Sequence, residues 1–206
     1  MRKYEQIRPK IAIVITSVYQ LAFFLVPHIK MLSEKNEITL FLNNDAPNIL
    51  RKINIPAKII ELPIQRKIHL FKDLLTLFLL IKIFFTERFY IVHTFAPKAG
   101  LLGIIASYLT FTPKRVHTFQ GEVWTNYKGF KKFFYKFLDK LIYFMSTHVI
   151  IVSKSGKEHL LKNNVINKSK SYILGAGSIG GVDLKIFNKN ESFRKKYRKE
   201  FNYNSK

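Results

Sequence analysis

Three stretches of this sequence place polar side chains or glycines directly after a short apolar run that is typical of a β-strand. They span residues 92–103, 116–124 and 175–183. Open α/β sheets bind ligands at the carboxyl ends of their strands, so these stretches predict one ligand-binding edge. In the first of them, His93 and Lys98 bracket a strand end, and Lys98 could hold a phosphate together with the amides that open the next helix. The alternatives are a hydrogen-bonded core histidine and an ordinary surface lysine near a helix start.

Apolar periodicity predicts the elements that position these residues. Strands are expected at 10–17, 37–42, 57–62, 89–94, 115–119, 148–153 and 171–174, and helices at 21–34, 46–54, 67–86, 98–109, 129–146 and 155–163. The strands are short and rich in apolar residues, which is typical of a parallel sheet covered on both faces. Strands that alternate with helices in this way predict a doubly wound α/β domain with a mostly parallel, Rossmann-like sheet.

Composition and motifs limit the functional classes. The chain has 206 residues, 48% of them apolar, and no cysteine, which allows one packed core and excludes disulfides and thiolate metal sites. No signal-peptide pattern occupies the first ten residues, so we expect a cytoplasmic setting. The G-x-G-x-x-G, G-x-x-x-x-G-K-[ST], H-E-x-x-H and G-x-S-x-G motifs are absent. Nicotinamide or flavin chemistry, P-loop hydrolysis, zinc proteolysis and serine hydrolysis are therefore not expected, and neither is a cofactor or a metal.

The charge of the chain is strongly positive. Thirty-five Lys and Arg residues against 13 Asp and Glu residues give a net charge of +22, which favours phosphate-bearing partners such as anionic lipid, a diphosphate substrate or nucleic acid. No nucleic-acid recognition motif accompanies the charge, so nucleic acid is not expected as a partner. The alternative is that the lysines simply solvate the surface.

Two predicted helices bear on membranes. In the helix at 129–146, eight apolar residues lie on one side and Lys131, Lys132, Lys136 and Lys140 on the other. The segment 74–85 is apolar almost all the way round but too short to span a bilayer. Each helix could lie in a lipid interface, or could pack its apolar residues in the core; the sequence leaves both open.

Four stretches of the chain, in the same order and at similar spacing, resemble the amino-terminal domain of family 4 glycosyltransferases, particularly the bacterial capsular and lipid-linked polysaccharide branch. They span residues 91–103, 115–129, 149–155 and 174–187. The resemblance implies one half of an enzyme with two facing Rossmann-like domains, the first for the acceptor and the second for the nucleotide-sugar. Residues 1–177 would form the acceptor-binding domain. Residues 178–206 would form the interdomain linker, with a polar helix at 192–203, and the start of the second domain.

The resemblance also implies roles for individual residues near the second stretch. His117 and Glu122 are the candidate catalytic residues, although many relatives carry Thr-His-Gly at this strand end and His117 is only a substitute for their histidine. Gln120 and Glu122 would hydrogen-bond sugar hydroxyls. Trp124 would stack on a sugar or lipid face, or would instead pack the loop.

Two further segments complete the implied site. The segment after the first strand lacks the glycines that many relatives use there, which leaves Ser17, Tyr19 and Gln20 as candidate acceptor contacts. The residues that match the interdomain linker are Gly177, Ser178, Gly181, Val182 and Asp183.

The predicted function is transfer of a sugar, with retention, from a nucleotide-sugar to a lipid-linked or polysaccharide acceptor in surface polysaccharide biosynthesis. The enzyme would stabilise the leaving diphosphate electrostatically. This chain is expected to be an inactive or partner-dependent half that binds a polyprenyl-diphosphate-linked sugar at the cytoplasmic face of the membrane. It would bind nucleotide-sugar only together with a second domain. The alternative is a non-catalytic, membrane-associated scaffold that recruits a separate donor-binding subunit.

Overall fold

The computed structural model describes residues 8–65, 67–184 and 187–203. Its strands form one seven-stranded sheet in the order β3-β2-β1-β4-β5-β6-β7. They are β1 (Lys10–Val14), β2 (Glu37–Leu42), β3 (Lys58–Glu61), β4 (Ile91–Phe95), β5 (Lys114–Phe119), β6 (His148–Ile151) and β7 (Ser171–Tyr172). Every neighbouring pair is parallel. The predicted doubly wound, Rossmann-like sheet is thereby confirmed.

Helical segments connect the strands. They are α1 (Val18–Gln20), a π turn (Leu21–Leu25), α2 (Val26–Ser33), α3 (Pro47–Leu50), α4 (Leu70–Glu87), α5 (Pro97–Leu109), a 3-10 turn (Val123–Asn126), α6 (Gly129–Met145), α7 (Lys154–Lys162) and α8 (Glu191–Glu200). Within the residues described, no helix has both the length and the apolarity to cross a membrane.

The two faces of the sheet carry different helices. Side chains alternate along a strand, so Ile11 and Ile13 pack on the first face against the segment from α1 to α2. Ala12 and Val14 point to the second face, where α4 and α5 cover them. Farther along the second face, α6 packs over β6. The helices α4, α5 and α6 therefore form one layer, with α5 in the middle.

Glycines allow α5 to lie very close to the sheet. A Cβ atom on Gly100 would fall 2.4 Å from the Cε1 atom of His117, and one on Gly103 would fall 2.6 Å from the Cγ2 atom of Thr94. No side chain fits at either position without displacing its neighbour. This close packing fixes the amino-terminal end of α5 at the carboxyl edge of the sheet.

Candidate functional site

A cavity of about 420 Å³ lies at the carboxyl ends of β1, β4 and β5. From β1 the chain adds β2 and β3 on one side of the sheet, and then returns to add β4 on the other side of β1. The direction in which strands are added therefore reverses at β1 and β4. Open α/β sheets bind ligands at this switch point. We call this cavity the switch-point cavity. It is lined by Thr16, Tyr19, Gln20, Phe23, Phe24, Ala96, Pro97, Lys98, Gln120 and Val123. The structure thus brings together four of the predicted site residues, Tyr19, Gln20, Lys98 and Gln120.

A hydrogen bond between two amides crosses this cavity. The Nε2 atom of Gln20 donates to the Oε1 atom of Gln120 over 2.9 Å. Gln20 is only 8% exposed. The bond joins the segment after β1 to the segment after β5.

Lys98 is already paired within the protein. Its Nζ atom donates to the Oδ1 atom of Asp73 over 2.8 Å and to the backbone carbonyl of Lys67. The Asp73 and Lys98 side chains are both largely buried. An anion that binds at Lys98 must therefore compete with the carboxylate of Asp73. Ala96, two residues before Lys98, has a φ of 66°, a conformation that costs free energy in a non-glycine residue and is often found at functional sites.

A second cavity, of about 440 Å³, lies beside the first at the ends of β5 and β6. We call it the polar cavity. It is lined by Phe119, Gln120, Gly121, Glu122, Thr125, Ile151, Val152, Ser153, Ser155, Gly156 and His159. Gln120 lines both cavities. Glu122 lies here, where its carboxylate can accept hydrogen bonds from a sugar.

His117 does not reach either cavity. Its side chain is 1% exposed, and its Nδ1 atom lies 2.8 Å from the Oγ1 atom of Thr94. Burial lowers the pKa of His117 to about 3, so the ring is neutral at physiological pH. The structure therefore places His117 in the core behind the cavities, and its catalytic role stays a prediction.

Ser17 makes hydrogen bonds within the fold. Its hydroxyl donates to the Oδ2 atom of Asp45 over 2.7 Å and accepts from the backbone N–H of Tyr19. The side chain is fully buried. Ser17 is therefore the N-cap of α1, and its role as an acceptor contact stays a prediction.

Trp124 packs its loop, which is the second of the two alternatives for this residue. The indole is 1% exposed and donates from Nε1 to the Oδ2 atom of Asp139 over 2.9 Å. It stacks on His159 with 5.1 Å between ring centroids. The ring has almost no exposed face in this structure, and its stacking on a sugar or lipid stays a prediction. Burial raises the pKa of the Asp139 carboxyl to about 7.

His93 lies on the first face of the sheet, outside both cavities. Its Nε2 atom is 2.8 Å from the Oγ1 atom of Thr118. Burial, together with the nearby His28, lowers the pKa of His93 to about 3. These contacts fit the alternative of a hydrogen-bonded core histidine.

The expected linker residues pass over a third cavity, of about 280 Å³, which His93 also lines. The N–H of Ser178 donates to the carbonyl oxygen of Val152 over 2.6 Å. Gly177 has a φ of 93°, and a Cβ atom there would lie 2.6 Å from that same oxygen. The linker therefore leaves the sheet from a fixed point at the end of β6. Beyond it, Gly181, Val182 and Asp183 are exposed and lie outside helices and strands.

Sequence reasoning missed several residues that line the cavities. Thr16, Phe23, Phe24, Val123 and His159 are the principal ones. Thr16 lies two residues beyond the end of β1, but the apolar run predicted a strand through position 17, so the sequence did not mark it as a cavity residue. No sequence pattern marked His159 as a cavity residue, because it lies inside α7. Among the described residues, no group of His, Asp or Glu side chains is placed to hold a metal ion.

Comparison with known proteins identifies the relatives of this fold. The model of Glycosyltransferase Family 4 matches residues 28–177. The chain is 34% identical over 177 residues to the capsular polysaccharide biosynthesis glycosyltransferase CapM of Staphylococcus aureus, covering 85% of this chain and 46% of CapM. It is 33% identical over 123 residues to the UDP-Gal:alpha-D-GlcNAc-diphosphoundecaprenol alpha-1,3-galactosyltransferase of Escherichia coli, covering 59% of this chain and 31% of that protein.

Solved structures show the same fold. Anabaena Alr3699/HepE, in complex with UDP and glucose, superposes with a TM-score of 0.65 at 14% identity, over 94% of this chain and 50% of that one. The chain thus spans less than half the length of the two curated relatives and half of this structure. Because the family model matches most of its residues, the chain belongs to glycosyltransferase family 4.

Proposed function

We propose that this chain is the acceptor-binding half of a retaining glycosyltransferase of surface polysaccharide biosynthesis. Residues 1–177 bind a lipid-diphosphate-linked sugar, and residues 178–206 lead to a second half that binds the nucleotide-sugar. The observation that carries the proposal is the pair of adjacent cavities at the switch point. The name of the E. coli relative, which acts on a GlcNAc-diphosphoundecaprenol acceptor, supports the same class of acceptor.

The cavities suit the two ends of such an acceptor. Tyr19, Phe23 and Phe24 give the switch-point cavity aromatic walls, which suit the apolar part of the molecule. Glu122 and Ser153 give the polar cavity hydrogen-bonding groups for a sugar. In the transfer, an acceptor hydroxyl bonds to the anomeric carbon of the donor, and the nucleoside diphosphate leaves. The role of this half is to hold that hydroxyl in place.

Titration calorimetry on the 206-residue chain tests this function. The probe is a short-chain, water-soluble lipid that carries α-D-GlcNAc diphosphate. We expect saturable binding of this probe and no comparable binding of UDP-galactose, because the donor belongs to the second half. Absence of acceptor binding would refute the proposal.

We further propose that the α4–α5–α6 layer docks on an anionic membrane at the cytoplasmic face. The outer sides of α4 and α6 are exposed although they are apolar. On α4 the exposed residues are Phe71, Leu74, Leu75, Phe78 and Phe85, and on α6 they are Phe130, Phe133, Phe134, Phe137 and Phe144, with exposures from 41% to 83%. A monomer that leaves so many large apolar residues open on one layer has a further surface to cover.

The lysines of α6 favour anionic lipid as the partner. At 100° per residue, Lys132, Lys136 and Lys140 form a row beside the phenylalanine stripe, and the core stripe that includes Ile142 lies on the far side of that row. Phenylalanine next to lysine is the arrangement with which interfacial helices enter the headgroup region of anionic bilayers. Because α6 packs against the turn Val123–Asn126, and Val123 lines the switch-point cavity, the helix also lies near the cavities. A membrane-bound acceptor would therefore be presented to the site directly.

A further inference from the structure

Unpaired polar atoms concentrate around the two cavities. Four buried side-chain N or O atoms in the described chain have no hydrogen-bond partner, and three of them belong to residues that line these cavities. They are the Oε1 atom of Gln20, the Nε2 atom of Gln120 and the Nε2 atom of His159; the fourth is the Oδ1 atom of Asn44. Folded proteins rarely leave buried polar atoms unpaired, because each one forfeits its hydrogen bond to water. A polar ligand in these cavities could supply the partners that the fold does not.

The amide bridge leaves one donor and one acceptor unpaired. One hydrogen bond uses the Nε2 atom of Gln20 and the Oε1 atom of Gln120, so the Oε1 atom of Gln20 and the Nε2 atom of Gln120 stay buried without a partner. A hydroxyl group has both functions that these atoms lack, because it can donate to the oxygen and accept from the N–H. Rotating both amides by 180° exchanges their roles but still leaves one donor and one acceptor, so the match to a hydroxyl does not depend on the assigned orientation.

The bridge stands at the boundary between an apolar and a polar space. Gln20 lines the switch-point cavity with Phe23 and Phe24, whereas Gln120 also lines the polar cavity. On the polar side, His159 is held by its stack on Trp124. An amphiphile with a lipid on one side and a sugar on the other would place the first sugar hydroxyls at this boundary.

We propose that the Gln20–Gln120 amide pair recognises a hydroxyl group of the acceptor sugar and that His159 binds a second polar group of the same sugar. The inference rests on the proposed function and specifies that these residues bind the sugar part of the acceptor. It also explains why two segments 100 positions apart are joined by an amide pair and not by apolar packing.

Variants of the amide pair test the proposal. Gln20→Met and Gln120→Met keep the length and approximate volume of the side chain and remove the amide. The matched control is Asn44→Leu, which removes an equally unpaired amide oxygen outside the cavities. Two probes are titrated into the 206-residue chain: the short-chain lipid with α-D-GlcNAc diphosphate, and the same lipid diphosphate without the sugar.

We expect the wild type to prefer the sugar-bearing probe. The preference should fall at least tenfold in Gln20→Met and Gln120→Met and stay unchanged in Asn44→Leu. The urea midpoint of the unliganded chain should fall only modestly in the Met variants, because each removes one unpaired polar atom but leaves the bridging atom of the other amide without a partner. His159→Phe, which keeps a ring on Trp124, should also reduce the preference; an unchanged preference there would remove His159 from the proposal.

A second variant covers the case in which a Met variant fails to fold. Gln120→Glu keeps an oxygen for the Nε2 atom of Gln20 but removes the open donor, so it should fold and still lose the preference.

The outcomes separate this proposal from the proposed function. If the wild type prefers the sugar-bearing probe and the amide variants keep that preference, the amide pair does not recognise the sugar. The proposed class of acceptor would still stand. If the wild type binds both probes equally, sugar recognition by this half is wrong while lipid-diphosphate binding stands. If it binds neither probe, both proposals are wrong.

Discussion

Replacing Phe133 by serine tests whether the α4–α5–α6 layer enters a membrane. The Phe133 side chain is 68% exposed and belongs to none of the three core clusters of the described chain. Serine and phenylalanine have similar helix propensities. The Phe133→Ser change should therefore alter the surface of α6 without altering the stability of the fold.

The size of the effect follows from the exposed fraction. Burying a complete phenylalanine side chain contributes roughly 1.5–3 kcal/mol, so burying the exposed part of Phe133 would contribute about 1–2 kcal/mol. Membrane partitioning should weaken by about 5- to 30-fold in the variant. Deeper insertion of α6 would give the upper end of this range.

Co-sedimentation with vesicles of phosphatidylserine and phosphatidylcholine at low salt measures the partitioning. The matched control is Tyr172→Ser, because Tyr172 is also exposed, at 45%, but pairs with Ile150 on the first face of the sheet. The control should partition like the wild type. Equal binding by the wild type and Phe133→Ser, or an equal loss in the control, would refute docking through this layer.

Three further predictions test charge, packing and burial. Lys140→Gln should weaken vesicle binding by about 1 kcal/mol at low salt, and the difference from the wild type should disappear at high salt. Gly100→Ala should lower the free energy of unfolding in urea by about 1–3 kcal/mol, because its Cβ atom would lie 2.4 Å from the ring of His117; an unchanged urea midpoint would contradict the close packing of α5. The pKa of Asp139 is raised to about 7, so the folded state binds this proton more tightly than the unfolded state does. The free energy of unfolding of the wild type should therefore fall as pH rises from about 4 to about 7. Asp139→Asn keeps an oxygen for the indole of Trp124 and removes this fall, so its free energy of unfolding should exceed that of the wild type by on the order of 3 kcal/mol at pH 8. Parallel pH profiles of the two proteins in chemical denaturation would contradict the burial argument.

Local patterns were sufficient to predict the architecture. Buried parallel strands need apolar residues on both faces, so each appears in the sequence as a short apolar run. The main differences lie at strand ends: the run from Lys10 continues to Ser17, but β1 ends at Val14. The residues after Val14 have left the ladder to form the edge of the switch-point cavity. The π turn at Leu21–Leu25 also had no signal, because its apolar residues fit an α-helical pattern equally well.

The site was predicted as a location but not as a set of contacts. Strand ends marked the correct edge of the sheet, yet they did not show which side chains turn into the cavities. His117 faces α5 because it lies on the second face of β5, and Trp124 turns inward because Asp139 accepts its N–H. The bond between Gln20 and Gln120 depends on β1 and β5 both flanking β4. None of these contacts follows from a pattern within a single segment.

The phenylalanines of α6 show how a sequence can signal a function that its fold does not require. A helix on a sheet needs one apolar side, at least about 100° wide, that faces the core, and Ile142, Tyr143 and Met145 are buried on that side of α6. Phe130, Phe133, Phe134, Phe137 and Phe144 lie outside it and remain exposed. Apolar residues in excess of the core stripe cost solubility without adding to the core, so they indicate a second apolar environment. The exposed side of α4 has the same excess, and the two helices belong to one layer. The proposed docking of this layer on a membrane accounts for the excess on both helices.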